Sequence, residues 1–363
     1  MEAVRVVTGL TLLLSALGAS GCSDNPGPVD TTDPAIYPNA KPCNINSGYD
    51  GDKYCIEAPD PAVGLQLHYG PKDYNDTAEV EKYLLYPGEE KTDCVFVKTS
   101  NDHEVFFNGY HSRMRPGSHH MLLYVQDALR DDSTGPEDCR QGLDTRNIFG
   151  AQVPQMDVGS MVQGPENAGL AISLAPKLQG VVQMHFINTG SKPLLREGWA
   201  NIIYTDPASV KTLGDPIFWL GGLGMNVLPG ETSIIKGVAK APAEVRLVTA
   251  TGHYHAHTTR FSAWKVIGGE RELLMEDYDW HDPALIHFNS ATQNPAPNAA
   301  GKKAGGFSGI VLMQPGDSIE WECEVANDGN VPLRFGNEVY TAEMCNMFGV
   351  YAPTTGTAWR ATN

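Results

Sequence analysis
The stretch Gly117-Ser118-His119-His120-Met121-Leu122-Leu123-Tyr124-Val125 holds the pattern on which the fold is read. A Pro116-Gly117 break is followed by two histidines and then by a short apolar run from Met121 to Val125. Similar runs lie on either side: Val95-Phe96-Val97, Val181-Val182-Gln183-Met184-His185-Phe186 and Ile202-Ile203-Tyr204. Two more follow at 246–250 (RLVTA) and 309–312 (GIVL), each bounded by Gly, Pro, Asn or Asp. Many short β-branched or aromatic segments with turn residues between them predict an all-β chain built of antiparallel sandwiches. The stretch Thr77 to Leu85 suggests one short helical turn, and no longer capped amphipathic helix is legible.

The 363 residues allow about two domains once the N-terminus is set aside. The boundary is read at Pro193–Gly198, giving an N-terminal domain at 43–195 and a C-terminal one at 196–363. Residues 290–307 (SATQNPAPNAAGKKAGGF) are of low complexity and read as a surface loop. With 43 acidic against 26 basic side chains the net charge is −17, which argues against nucleic acid as a partner. No run of about 18 apolar residues suits a membrane span.

The first 21 residues carry a short apolar stretch, Val6 to Leu17, then Ala19-Ser20-Gly21 and Cys22. That order resembles a bacterial lipoprotein signal, in which Cys22 becomes the lipidated N-terminus; an ordinary secretory signal is the alternative. Either reading exports the chain, and the lipoprotein reading anchors it in a bacterial cell envelope. Residues 22–42, with Pro26, Pro28, Pro34, Pro38 and Pro42, read as an extended tether. Cysteine usage agrees with export. Of seven cysteines, setting Cys22 aside leaves Cys43, Cys55, Cys94, Cys139, Cys323 and Cys345, an even number that permits three disulfides. Fifteen pairings are possible, and no CxxC motif points to a zinc ribbon.

Six of the eleven histidines fall in three places. His119 and His120 open one strand, His185 lies inside another, and His253, His255 and His257 alternate at the end of a third. Alternate strand residues share a face, so the last three are expected to point together. Adjacent His119 and His120 would point apart unless a bulge follows Pro116-Gly117. These residues predict a metal-binding β protein, and imidazole alone suits copper, zinc, iron or nickel. Acidic pairs at Asp50/Asp52 and Asp277/Asp279 lack a complete calcium loop and read as solvated turns. His281 and His287, in a Trp/Tyr-rich segment, read as structural.

The ordered motifs add a family resemblance. The 117–124 segment resembles the HHM motif of the type II copper, ascorbate-dependent monooxygenases, such as peptidylglycine α-hydroxylating and dopamine β-monooxygenases. Val181 to Phe186 is similar to that family's lone third histidine strand, His253-Tyr254-His255 to its HxH pair, and Glu343-Met344-Cys345-Asn346 to its EMCN segment. The resemblance spans about residues 85 to 353. It implies two jelly-roll-like β-sandwich domains with a copper-containing cleft between them, and two coppers per chain. His119, His120 and His185 would hold an electron-transfer copper; His253, His255 and Met344 would hold an oxygen-activating one. It also implies Cys94–Cys139 and Cys323–Cys345 disulfides, leaving Cys43 with Cys55.

The implied activity is hydroxylation of a C–H bond of a small organic substrate by O2, with ascorbate or a similar reductant, in a monomer. The alternative is a non-catalytic lipoprotein that binds or delivers copper. Gln183, Thr251, His257, Asn346 and Phe348 are the candidate residues around substrate or ligands. Peptidylglycine enzymes carry an Arg where Thr251 stands and a Tyr where Phe348 stands, so glycine-extended peptides are not the expected substrate.

Overall fold
A computed structural model describes residues 40–139, 146–158, 163–356 and 359–361. The signal segment, Cys22 and the tether up to residue 39 lie outside the described residues. Among the described residues the protein is nearly all β, with one five-residue α-helix at Thr77–Glu81, capped by the Asp76 carboxylate accepting from the amides of Ala78 and Glu79. Among the described residues no helix is long and apolar enough to cross a membrane.

Two sets of sheets divide the chain. In the N-terminal set a four-stranded sheet runs in the order Glu90–Lys98, Gln179–Ile187, Ser118–Gln126, Arg146–Ala151. Its partner sheet is built around Gly64–Tyr69, Gly198–Thr205 and Val105–Met114. In the C-terminal set Asp215–Trp219, Cys345–Ala352 and Val245–Tyr254 form one sheet, and Thr232–Lys240, Ser318–Ala326, Thr258–Ile267 and Glu270–Asp277 form the other. These pairings are antiparallel, and each set surrounds its own apolar core. The architecture is that of two β-sandwiches. Strand pairing changes over between Leu213, which still pairs with Ala171, and Asp215, which pairs with Tyr351. The changeover therefore comes later than the 195/196 boundary read from the sequence, because Gly198–Thr205 completes the N-terminal sheet.

Burial patterns explain the placement. Ser318–Ala326 alternates, with Ile319, Trp321, Cys323 and Val325 buried and the glutamates between them facing outward, as a sheet with one wet face requires. Gly237 lies opposite Trp321, and a Cβ there would fall 2.1 Å from the indole, so only glycine lets the strand pass. Ser118–Gln126, by contrast, is buried on both faces. Met121, Leu123 and Val125 enter the N-terminal core, whereas Leu122 and Tyr124 join Phe96 and Val181 in a cluster with Phe348 and Phe218 of the C-terminal set. The near-continuous apolar run is the signature of that double covering.

Three disulfides, Cys43–Cys55, Cys94–Cys139 and Cys323–Cys345, join the six cysteines as the resemblance implied for two pairs and subtraction for the third. They point to an oxidising compartment outside the cytoplasm.

Candidate metal centre
On Gln179–Ile187, Val182, Met184 and Phe186 enter the core, so Val181, Gln183 and His185 share the opposite face. His120 is the cross-strand partner of His185 and Leu122 that of Gln183, which puts His120 on this same face. The register slips between Ser118 and His120, a bulge at His119 that directs the ring of this residue into the same cluster. Gly117 just before it has φ +88°, a left-handed turn that L side chains rarely adopt.

The C-terminal set supplies His253, opposite Asn346, and His255, just past the strand end at Tyr254. The backbone N–H groups of His255 and Met344 both donate to Oε1 of Glu343, at 2.5 and 2.8 Å, so one buried carboxylate holds these two residues side by side. Burial pushes Glu343 up to about 7 against those two donors.

The five rings form one contiguous cluster. His119 lies 5.1 Å from His120, 5.2 Å from His185 and 5.4 Å from both His253 and His255, centroid to centroid. Two groups have ligand-capable nitrogens all within 4.8 Å of one another: His119, His120 and His185, and His119, His253 and His255. His119 thus belongs to both. The sequence expectation placed two separate groups across a cleft; here the rings of both groups meet through His119. Nitrogens on a tetrahedral ion with bonds of about 2.0–2.1 Å lie about 3.3 Å apart, so each triad needs only small ring movements to close on a metal.

Hydrogen bonds select which nitrogen each ring offers. Gln152 donates its amide N–H to the Gly252 carbonyl at 2.9 Å, which turns its Oε1 toward His253 Nδ1 at 2.6 Å. Nδ1 therefore carries the proton and Nε2 the lone pair. Glu90 Oε1 accepts from His185 Nε2 at 2.8 Å, and Gln183 Oε1 from His120 Nε2 at 3.3 Å. The Nδ1 atoms of His120 and His185, Nε2 of His119 and both nitrogens of His255 are buried without a hydrogen-bond partner. An unsatisfied buried polar atom costs about 1–3 kcal/mol. Burial, with neighbouring imidazoles adding to it, drives His119, His120 and His255 well below the usual histidine range and His253 down to about 3. Neutral rings with unpartnered nitrogens are metal ligands in their binding state. The residues fit a metal ion.

Met344 is buried, and its sulfur accepts from Asn346 Nδ2 at 3.4 Å. Phe348 stacks on the His253 ring at 5.1 Å, and Thr251 Oγ1 lies 3.4 Å from the Gln152 amide. His257 departs from expectation. The strand ends at Tyr254 and the chain turns through Ala256-His257, so alternation stops and His257 leaves the cluster. Its two nitrogens are taken by Asp328 Oδ1 and the Tyr340 carbonyl, each at 2.9 Å.

Asp52 accepts from Ser47 and Arg115 in its turn. Asp277, read as solvated, is instead fully buried and accepts from the backbone of Tyr278, Asp279 and Ala284. That carboxylate organises the turn that sets Trp280 edge-on against His119 at 5.5 Å. The His281 ring lies tilted against the indole with centroids 3.6 Å apart, and His287 pairs with Thr249; neither belongs to a triad. Gln152, Glu90 and Trp280 were missed in the sequence. Glu343 was visible there only as part of the EMCN segment.

No known family profile matches the chain, and no curated protein is a significant relative of it.

Proposed function
We propose that this protein is an exported two-copper monooxygenase that hydroxylates a C–H bond of a small organic substrate. The carrying observation is the cluster of five buried histidines, drawn from both sandwiches, four of which present a buried nitrogen with no hydrogen-bond partner. His119, His120 and His185 would hold one ion. His253 and His255 would hold the other with Met344, whose backbone Glu343 keeps beside His255. Imidazole suits both copper oxidation states, and a thioether favours Cu(I). Copper bound there would supply one-electron redox chemistry and activation of O2.

The protein's own part is positional. Gln152, Glu90 and Gln183 fix ring tautomers, and Phe348 covers one face of His253 against water. In the overall reaction one oxygen atom enters the C–H bond and the other leaves as water, with two electrons and two protons from ascorbate or a similar reductant. Thr251 carries no charge, which favours a substrate without a carboxylate anchor at that position.

A second reading, retention or delivery of copper without turnover, draws on the burial of all five rings. One experiment separates them: anaerobic Cu(I) titration of the purified chain, followed by ascorbate-driven oxygen uptake across a panel of small C–H substrates. Saturation near two equivalents with substrate-dependent uptake supports the monooxygenase. Tight binding with no uptake above free copper supports retention, and absence of binding refutes both.

A further inference from the structure
Three of the five rings span the seam between the sandwiches. His119 stands on the bulge of Ser118–Gln126 in the N-terminal set, His253 on Val245–Tyr254 in the C-terminal set, and His255 just past that strand. Their ligand-capable nitrogens nevertheless all lie within 4.8 Å of one another. The His119 centroid is 5.4 Å from both partners, and those two are 5.7 Å apart. All three rings are buried. This grouping differs from the two ligand sets assigned above, in which His119 serves only alongside His120 and His185.

Two further observations bear on it. Nε2 of His119 and both nitrogens of His255 are buried without a hydrogen-bond partner, whereas the Met344 sulfur already accepts from Asn346 Nδ2 at 3.4 Å. An ion at His253 and His255 thus has a free imidazole beside it, ahead of an engaged thioether. His119 also sits where the strand register slips, so alternation does not tie its ring to His120 and His185 alone. A neutral imidazole has one lone pair to give a metal. His119 therefore cannot complete both triads at once.

We propose that His119 is an exchangeable ligand. While His120 and His185 hold no ion, it completes the ion at His253 and His255 and so clasps the two sandwiches together; when a second ion claims His119, Met344 takes its place. The proposal rests on the copper-binding reading above, and not on turnover. It makes the half-loaded and fully loaded chains differ at the seam. One ion takes donors from both sandwiches, whereas two ions each keep to the donors of one. The seam is then left to protein contacts such as the Gln152–His253 hydrogen bond. A half-loaded chain is held closed, and the second ion releases the clasp.

The test uses the full chain carrying His185→Ala, loaded anaerobically with Cu(I) at its remaining site. X-ray absorption at the copper edge reads the donor set, and competition with a chromophoric chelator reads the affinity. The bound ion is expected to show nitrogen donors and no sulfur. Adding His119→Ala should bring a sulfur donor in, as it should in wild type at two equivalents. Adding Met344→Leu to His185→Ala should leave the affinity unchanged, whereas adding it to His185→Ala with His119→Ala should cost at least about tenfold, the least that losing even a ligand's hydrogen-bond partner costs. The same series in a His120→Ala background keeps the answer independent of a fold lost in one variant. A sulfur donor in the chain carrying His185→Ala alone, or an affinity there that falls with Met344→Leu, would overturn the clasp and leave the two-copper reading intact. Wild type holding two ions without a sulfur donor would overturn the exchange. A wild-type chain that takes up no Cu(I) would end both readings.

Discussion

Oε1 of Gln152 lies 2.6 Å from Nδ1 of His253, and this hydrogen bond joins the end of an N-terminal strand to the strand of the C-terminal sandwich that carries His253. Because the Gln152 amide nitrogen is committed to Gly252, the oxygen can only accept. The ring is thus held with Nε2 free for metal. Partners of this kind contribute about 10–100-fold to metal affinity. Gln152→Leu is expected to weaken one of two copper equivalents by that factor in a competition titration, whereas Gln152→Glu should keep most of the affinity. Equal affinity in the leucine variant would show that the tautomer is set elsewhere.

The two triads predict distinct losses. His185→Ala should reduce Cu(I) stoichiometry from near two to near one and leave the ion at His253 and His255 in place. His253→Ala should do the converse. Anaerobic titration with metal analysis checks both, and a His185→Ala chain that still binds two ions would remove this residue from the ligand set.

Met344→His should preserve copper stoichiometry but sharply lower ascorbate-driven oxygen uptake. An imidazole replaces the donor, yet its harder donation favours Cu(II) over the Cu(I) that must meet O2. Uptake at the wild-type rate and equal copper loading would exclude a role for the Met344 sulfur.

Trp280 offers an optical check, since its indole sits edge-on to His119 while Trp219, Trp321 and Trp359 are buried in the C-terminal core. Cu(II) loading should quench tryptophan emission, and Trp280→Phe should remove most of that quench without changing stoichiometry. An undiminished quench would mean that the ion binds away from His119.

Buried Asp277 predicts a pH-dependent stability. Burial raises its carboxyl to about 6 in the folded chain, above the ordinary 3.8, so the folded state holds the proton more tightly. The stabilisation is complete below about pH 4 and is lost as pH rises through about 6, on the order of 3 kcal/mol in all. Asp277→Asn cannot titrate. The melting temperature of the metal-free variant should therefore gain on wild type between pH 4 and pH 7. A constant difference across that range would show that Asp277 keeps its ordinary pKa.

Much of this was legible because it is local. Short apolar runs between turn residues marked the strands, and Pro116-Gly117 marked the place where a bulge brings His119 and His120 to one site. What stayed hidden is non-local. Gln152 stands 101 residues from His253, and no spacing rule ties an amide side chain to a distant ring. Strict alternation misled at His257, because the strand stops one residue before His255 and the chain turns. Asp277 looked solvated because an Asp-rich turn usually is, and only the backbone donors folded around it make burial tolerable. The changeover between the sandwiches was placed early because Gly198–Thr205 pairs back to distant strands, one of them beginning at Gly64.

The two-faced burial of Ser118–Gln126 sets an order on assembly. Each disulfide closes within one sandwich: Cys43–Cys55 and Cys94–Cys139 in the first, Cys323–Cys345 in the second. Oxidation can therefore finish while the halves are still apart, with Leu122, Tyr124 and Phe348 still facing water. The histidine cluster cannot, since its rings come from both. A fragment ending near residue 213 should thus be oxidised yet sticky, self-associating through the strip that Phe348 and Phe218 would have covered. In the whole chain, metal uptake by the proposed cluster would then report docking of the two halves and not the folding of either.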